Sequence, residues 1–233
     1  MKDLITIIIP CKNEKDIIKK TLDLLNYQNG INGVNVIISD SSNDEETVNK
    51  LLNRIGDKFN LKLIEGGLPS VARNKGFKYV TTEYVLFLDA DIFLLNDDLI
   101  FNSLEYIINN EKELVTYNIK TDSGSYDYVY FWFGIIQRIL LLFSPFCLGG
   151  FMMFKSSKFK ELNGFNDEIK VGEDYMLSRK IKSNKFKILN KNIYTTDRRF
   201  KNKGLLFMVK LLLKTALTVN KTNHLKNDYN YWN

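Results

Sequence analysis

The chain has 233 residues, 45% of them hydrophobic, which favours one compact domain with a sizeable core, alone or with an appended segment. Its 33 lysines and arginines outnumber its 27 acidic residues, and the net charge of +6 suits a phosphorylated ligand or an anionic membrane. The basic residues are dispersed and accompany no recognised nucleic-acid motif, so we expect no nucleic-acid partner. Two distant cysteines, Cys11 and Cys147, argue against a disulfide framework, and without a signal-peptide pattern we expect a cytoplasmic protein.

The first half of the chain alternates between strand and helix patterns. Apolar runs predict strands at 4–10, 34–40, 61–64 and 84–88, and helical spacing predicts helices at 13–25, 44–55 and 70–79. Asn13 is a candidate cap for the first helix. Strands and helices that alternate at this spacing imply parallel crossovers and an open α/β sheet.

The second half is less regular. It predicts helices at 96–110, 156–162, 175–183 and 205–219, and strands at 114–120, 151–154, 186–188 and 193–195. Between them, residues 129–148 are strongly apolar and aromatic. Neither this segment nor the last helix offers the roughly 20 uninterrupted apolar residues of a membrane span.

Polar residues follow four strands of the first half, at 10–14, 40–44, 66–74 and 89–91. Ligands of open α/β sheets bind at the carboxyl ends of the strands. Asp89 and Asp91 end an apolar strand, where buried carboxylates need solvent or a cation as partner. Mg²⁺ or Mn²⁺ binds one or two carboxylates together with substrate phosphate, so the pair predicts metal-bound phosphate chemistry.

Five motifs, in order and spacing, make the chain resemble a family 2 glycosyltransferase. They are 7–14 (IIIPCKNE), 37–44 (IISDSSND), 72–76 (ARNKG), 86–91 (LFLDAD) and 172–174 (GED). The resemblance covers residues 4 to about 182 and implies the GT-A fold, a Rossmann-like α/β architecture with an open mixed sheet flanked by helices. It also implies a nucleotide-sugar donor, expected to be a UDP-sugar, and an inverting single displacement.

The same resemblance assigns the nucleoside to the first two motifs. Pro10, Asn13 and Glu14 would border it, with Glu14 near the ribose or base. Asp40 would accept a hydrogen bond from the base. The alternative for Asp40 is to cap the following helix, although Asp44 or Asn43 could do so instead.

The diphosphate and metal would lie against the middle motifs. Arg73 would reach the base or diphosphate, since a guanidinium fork suits such acceptors. Asp91 would bind Mn²⁺ or Mg²⁺ directly, while Asp89 would be a second ligand or bond a sugar hydroxyl. His224, the single histidine, would join the metal or simply lie on the surface. Gly150 would border the sugar, because a residue without a side chain lets the donor approach.

Asp174 is the candidate general base, taking the proton from the acceptor hydroxyl. Glu173 beside it is counted among the donor-binding residues. The alternative for both is to stabilise a helix start, where anions are favoured. Asp167 and Glu168 are alternative sources of the base.

Arg198 and Arg199 would contact the diphosphate or an anionic acceptor, or form a charged face. The C-terminal helix is predicted to carry a basic stripe, Lys203, Lys210, Lys214 and Lys221, opposite Leu206, Leu213 and Leu217. Such a helix favours peripheral contact with an anionic membrane, on its cytoplasmic face. The alternative is a core or homodimer helix with snorkelling lysines.

These patterns predict one catalytic domain at 1–200, with a nucleotide-binding half at 1–95 and an acceptor-binding half at 96–200, followed by an amphipathic segment at 201–233. The predicted function is inverting, metal-dependent transfer of a sugar to a hydroxyl of a glycan or lipid-linked acceptor, in cell-surface polysaccharide or glycolipid synthesis. The alternatives are a polyprenyl-phosphate sugar synthase and a non-catalytic membrane-associated scaffold of the same fold. Nucleotidyl transfer is disfavoured, because residues 10–14 contain no glycine and are not a basic triphosphate loop.

Overall fold

The computed structural model describes residues 1–52, 57–141, 144–217 and 225–226. Its strands are β1 (Ile5–Cys11), β2 (Asn35–Asp40), β3 (Asn60–Glu65), β4 (Tyr84–Leu88), β5 (Ile92–Phe93), β6 (Leu114–Thr121), β7 (Phe151–Lys155) and β8 (Phe186–Thr195). Its helices are α1 (Lys15–Asn26), α2 (Glu45–Leu52), α3 (Pro69–Phe77), α4 (Leu99–Asn109), α5 (Asp127–Leu140), α6 (Ser156–Glu161), α7 (Glu173–Ser178), α8 (Arg198–Lys203) and α9 (Leu205–Leu217). The predicted open α/β sheet flanked by helices is confirmed.

The described strands form one mixed sheet in the order β3-β2-β1-β4-β7-β6-β8-β5. Strands β1 to β4 run parallel, whereas β7 is antiparallel to both β4 and β6. Because β7 runs the other way, its start lies beside the end of β4, where Phe151 pairs with Leu88. The Asp89 N–H donates to the Gly150 carbonyl oxygen at 2.9 Å. The topology therefore places the glycines before β7 next to the Asp-x-Asp motif.

The central strands β1, β4 and β7 are buried on both faces of the sheet, which explains their continuous apolar sequences. Ile7 and Ile9 of β1 pack into the larger core cluster, and Ile8 between them packs into the cluster on the opposite face. That second cluster is rich in aromatic side chains, including Phe87 and Phe159, whose ring centroids are 4.7 Å apart. The core thus holds the strand ends in a fixed arrangement.

Three predicted elements differ from the structure. The two short strands at 186–188 and 193–195 are one ten-residue strand, β8, in which a register shift opposite Tyr117 and Asn118 accommodates the polar residues between them. Asn13 does not cap α1, because its backbone is left-handed with φ of 54° and the N-cap is Glu14. The helix predicted at 175–183 instead runs from Glu173 to Ser178.

The predicted position of Leu206 on a leucine face opposite the lysines of the C-terminal helix is wrong, and the side chains of Leu213 and Leu217 lie outside the described part of the chain. Leu206 is 72% exposed, and exposed Lys210 lies one turn further along the same side of α9. The buried side of α9 carries Met208 and Leu211. The predicted helix positions 218–219, as well as Lys221 and His224, lie outside the described residues. Within the described ranges, no helix is both long enough and apolar enough to cross a bilayer.

Candidate functional site

A cleft of about 620 Å³ opens at the carboxyl ends of the parallel strands. It is lined by loops after β1, β2, β3 and β4 and by α8. Six residues predicted to bind the donor or metal line it, namely Pro10, Asn13, Glu14, Arg73, Asp89 and Asp91. The fold therefore brings together side chains that the sequence spreads over three motifs.

The Arg73 side chain joins three elements at the floor of this cleft. It is 1% exposed, and its Nη1 and Nη2 donate to Glu173 Oε1 at 2.7 Å and to Asp89 Oδ1 at 2.5 Å. Arg73 comes from α3, Asp89 from the end of β4 and Glu173 from the first turn of α7. A buried guanidinium needs such partners, so this network fixes the relative positions of the three elements.

Charge pairing outweighs burial in this network. Burial acts to raise the pKa of Asp89, but the charge and hydrogen bond of Arg73 lower it below the usual carboxyl range. Burial likewise acts to lower the pKa of Arg73, but Asp89 and Glu173 raise it above its ordinary value. Both groups are therefore ionised at neutral pH.

The carboxylate of Asp174 has a different environment. Burial, reinforced by the neighbouring charge of Glu173, raises the pKa of Asp174 to about 7. Its Oδ1 accepts a hydrogen bond from the Tyr175 N–H at 2.7 Å. A Cβ atom added to Gly149 would lie 2.7 Å from Asp174 Oδ2, so the absence of a side chain at Gly149 makes room for this carboxylate. Asp174 therefore sits beside the same glycine turn as Asp89.

Asp91 is 5% exposed and lines both the donor cleft and the cavity behind it. Among the described residues, no group of three or more His, Cys, Asp or Glu side chains is arranged to hold a metal ion. A Mg²⁺ or Mn²⁺ ion commonly takes only one or two carboxylates and completes its shell with water and substrate phosphate. The carboxylate oxygens available at Asp91 therefore fit a cation that binds together with a diphosphate.

Glu14 and Arg198, 184 residues apart, form a bidentate pair across the cleft. Arg198 Nη1 and Nη2 donate to Glu14 Oε2 and Oε1 at 3.0 and 2.8 Å. Burial raises the pKa of Glu14 despite this pairing, and the charge of Asp91 adds to the effect. Arg199 also lines the cleft. Sequence patterns did not predict the pair, because no local signal connects positions so far apart.

The loops after β1 and β2 are tied together by side-chain hydrogen bonds. Asn13 Oδ1 accepts from the Asn43 N–H at 2.8 Å. Asp40 Oδ1 accepts from the hydroxyl of Ser42 at 2.6 Å, and Asp44 Oδ1 accepts from the Thr47 N–H at 2.7 Å at the start of α2. The capping role considered for Asp40 therefore belongs to Asp44.

The two alternative base candidates have partners elsewhere. Asp167 accepts a hydrogen bond from Asn74 at 2.7 Å, and Glu168 pairs with Lys226 at 2.5 Å. Asp174, by contrast, lines the cavity that adjoins the donor cleft.

This second cavity, of about 170 Å³, shares Arg73, Asp89, Asp91 and Arg199 with the cleft. Its other walls are largely apolar and come from α5, α7, α8 and α9. Sequence patterns missed the contribution of α5, because the 129–148 segment showed composition but no catalytic motif. The site therefore has a polar side for a charged ligand and an apolar side behind the carboxylates.

The open sheet flanked by helices is similar to the fold of solved GT-A glycosyltransferases. S. aureus TarS matches with a TM-score of 0.63 and 22% identity, over 90% of this chain and 40% of its own. The mannosyltransferase PcManGT from Pyrobaculum calidifontis, solved with GDP-Man and Mn²⁺, matches with a TM-score of 0.64 and 17% identity, over 90% of this chain and 64% of its own. These likenesses confirm the predicted fold.

The sequence model of glycosyl transferase family 2 matches residues 6–162, more than half of the chain, and the chain belongs to this family. The amylovoran biosynthesis glycosyltransferase AmsB of Erwinia amylovora is 38% identical over 96 residues, which are 39% of this chain and 32% of AmsB. The chain thus spans about a third of the curated relative that it matches. Family membership is confirmed, while the roles of individual residues stay predictions.

Proposed function

We propose that this protein is an inverting, metal-dependent glycosyltransferase that moves a sugar from a nucleotide-sugar to a hydroxyl of a glycan or lipid-linked acceptor. The observation that carries the proposal is the position of Asp174, in the cavity that meets the donor cleft at Asp89 and Asp91. Membership of glycosyl transferase family 2 supports the reaction class. The likeness to AmsB, an amylovoran biosynthesis glycosyltransferase, supports a role in polysaccharide synthesis. A location at the cytoplasmic side of the membrane stays a prediction.

The cleft is the proposed donor site. Pro10, Asn13 and Glu14 border the nucleoside, and Asp40 approaches the base. Arg198 and Arg199, which line the cleft, supply positive charge to the diphosphate. TarS was solved with UDP and with UDP-GlcNAc, and PcManGT was solved with GDP-Man. Proteins of similar fold have therefore been solved with nucleotides of either uracil or guanine. We propose a UDP-sugar.

The proposed metal site is Asp91, with Asp89 beside it. Because Asp89 Oδ1 accepts from Arg73, Asp91 is the better direct ligand for Mn²⁺ or Mg²⁺. When bound there, the cation would neutralise charge on the departing nucleoside diphosphate. A role for His224 as an additional ligand stays a prediction.

The proposed general base is Asp174. Its carboxylate takes the proton of the acceptor hydroxyl as that oxygen attacks the anomeric carbon from the side opposite the diphosphate, which inverts the configuration. A pKa near 7 makes the carboxylate a stronger proton acceptor than an ordinary aspartate. Arg73 and Glu173 are predicted from the sequence to contact the donor. In this proposal they hold neighbouring groups in position instead, because their side chains bind each other inside the protein.

The polyprenyl-phosphate sugar synthase alternative differs only in the acceptor, which would be a lipid phosphate. The apolar walls of the second cavity favour a lipid-containing acceptor in either case.

A donor screen tests the proposal. UDP- and GDP-sugars are incubated with Mn²⁺ or Mg²⁺ and candidate lipid-linked acceptors, nucleoside diphosphate release is measured, and the anomeric configuration of the product is read by NMR. We expect turnover with one donor class and an inverted product. A retained configuration would contradict the single displacement.

Two variants separate the proposed roles. Asp91→Asn should abolish metal-dependent turnover, whereas Asp3→Asn, at an exposed position outside the cleft, should not change it. Asp174→Asn should keep donor binding and lower transfer by about 10²-fold or more. Undiminished turnover in Asp91→Asn would overturn the metal assignment, and loss of donor binding in Asp174→Asn would make Asp174 a structural residue.

A further inference from the structure

The outer face of α5 is an exposed aromatic surface. Phe131 is 63% exposed and Trp132 is 61% exposed, and their ring centroids are 5.8 Å apart. The large apolar side chains exposed on this helix are Tyr128, Phe131, Trp132, Ile136, Ile139 and Leu140. We call this set the α5 outer face. Apolar side chains gathered on one surface mark an interaction site more often than scattered ones do.

The exposed residues of α5 recur at spacings of three and four, as expected for one side of a helix. Buried Gln137 lies on the side away from Phe131, Trp132 and Ile139, whereas buried Val129 lies at the edge beside Ile136 and Leu140. From Tyr128 to Leu140, the one charged side chain is Arg138. The face is therefore apolar along its length and ends in a positive charge.

Further positive charge lies on the elements packed against α5. Val129 of α5, Phe200 of α8 and Met208 of α9 form one buried cluster, which brings the three helices together. Lys201, Lys210 and Lys214 on α8 and α9 are exposed. An apolar aromatic surface on a helix whose packing partners carry exposed lysines complements a bilayer with anionic headgroups.

The α5 outer face also borders the site. Ile136 and Leu140 are exposed, yet both line the second cavity, which reaches Asp174 on its inner side. The cavity is thus lined continuously from the protein surface to the proposed base.

We infer that the α5 outer face docks on the anionic surface of a lipid bilayer and turns the mouth of the second cavity towards the lipid. Tyr and Trp side chains favour the boundary between headgroups and acyl chains, and the lysines bind the negative surface. This inference rests on the proposed function in that it makes a lipid-linked acceptor the one that reaches Asp174. It differs from the membrane contact predicted from the C-terminal segment, since an aromatic helix face supplies the apolar contact.

Vesicle binding by the full chain tests the inference. In a Trp232→Phe background Trp132 is the single tryptophan, so its emission reports on this face. We expect binding to phosphatidylglycerol-containing vesicles, weaker binding at high salt and to phosphatidylcholine alone, and a blue shift of Trp132 emission. Absent binding would overturn the inference, as would binding with unchanged emission, because another surface would then carry the contact.

A matched pair of variants controls for nonspecific effects. Phe131→Asp should lower partitioning onto anionic vesicles about tenfold or more, because an aromatic side chain that would enter the bilayer is replaced by a charge that anionic headgroups repel. Phe101→Asp changes an exposed phenylalanine of α4 and should bind like the unmodified chain. Equal losses in both variants would overturn the inference. The inference would also be overturned if the unmodified chain formed a dimer, bound no vesicles, and lost the dimer in Phe131→Asp.

Vesicle binding is measured without substrates, so the two proposals fail separately. Turnover without vesicle binding would overturn membrane docking alone. Vesicle binding without turnover of any nucleotide-sugar would overturn the proposed reaction and leave the docking surface in place.

Discussion

At the scale of single residues, four charged side chains share one small volume but differ in protonation. Arg73 neutralises the carboxylates to which it donates, Asp89 and Glu173, whereas Asp174 has no guanidinium donating to it among the described residues. Burial, reinforced by the negative charge of Glu173 beside it, disfavours the ionised carboxylate of Asp174 and raises its pKa. The network therefore holds the site together and makes one carboxylate basic.

We expect the pH dependence of sugar transfer to follow Asp174. A general base acts as its carboxylate, so kcat/KM should fall as the pH decreases through about 7, the raised pKa. Initial rates between about pH 5 and 9 give this profile. An ascending limb near pH 4, the ordinary aspartate value of about 3.9, would contradict the assignment.

The same shift predicts an effect on stability. A raised carboxyl pKa means that the folded state disfavours the charge, a cost that is absent below about pH 4, grows up to about pH 7 and is constant above it. Asp174→Asn should therefore raise the free energy of unfolding at about pH 8 by about 1 kcal/mol or more, with little change near pH 4. Urea denaturation at both pH values measures the difference. Equal effects at the two pH values would show that charge is not the cause.

Removal of Arg73 should have the opposite sign. Arg73→Met leaves the carboxylates of Asp89 and Glu173 buried without their cation, so we expect a loss of about 3–5 kcal/mol in the free energy of unfolding at neutral pH. Arg138→Met, at an exposed arginine of α5, should stay within about 0.5 kcal/mol. Urea unfolding of both variants makes the comparison. A loss in Arg73→Met no larger than that in the control would contradict a structural role for the network.

At the scale of elements, the turn before β7 positions the base. Gly149 has φ of 59°, a left-handed conformation that glycine adopts without strain. Because β7 runs antiparallel to β4, this turn passes between Asp89 and Asp174 rather than on the far edge of the sheet. A small residue here is required by the crossing of two elements and not by the turn alone.

Gly149→Ala tests this crowding against a matched turn. Gly124 has φ of 73° with no atom within 4 Å of an added Cβ, so Gly124→Ala carries the same backbone strain of about 1–2 kcal/mol without crowding. Both variants should lose similar stability in thermal melts. Only Gly149→Ala should lower turnover, because its methyl group displaces the Asp174 carboxylate. Ordinary turnover in Gly149→Ala would show that the position of Asp174 is not critical.

At the scale of the whole molecule, the walls of the donor cleft come from distant parts of the chain. The Glu14–Arg198 pair connects the loop after β1 to α8, so the predicted division into halves at 1–95 and 96–200 is crossed within the cleft itself. A ligand that bridges the two sides should therefore stabilise the entire fold.

We expect nucleoside diphosphate with Mn²⁺ to raise Tm by about 5–10 °C at 100 times its Kd, since such binding adds about 2.7 kcal/mol and each kcal/mol is worth about 2–4 °C at this size. Differential scanning fluorimetry with UDP, GDP and ADP would identify the base from the largest shift. Chelation of the metal should reverse it, and Arg198→Gln should reduce it. The absence of any shift with UDP or GDP would contradict the proposed cleft.

Local patterns succeeded where a residue's neighbours along the chain decide its environment. The continuous apolar runs of β1, β2 and β4 predicted strands of an open α/β sheet, and the strand ends predicted where polar residues would collect. Local patterns failed at 186–195, because a strand can absorb polar residues in a register shift that only its partner strand reveals. They also failed for Leu206, whose burial depends on which side of α9 meets α5 and α8.

The sequence by itself determined the fold class, the family and the group of strand-end residues from which the site is built, because strand and helix periodicity and short motifs are local properties. Only the tertiary structure decided how those residues are used. It buried Arg73 between two carboxylates, paired Glu14 with Arg198, set Asp174 against Gly149 and opened the apolar cavity towards α5. Each of these depends on contacts between distant segments, where burial and charge pairing set both protonation and accessibility.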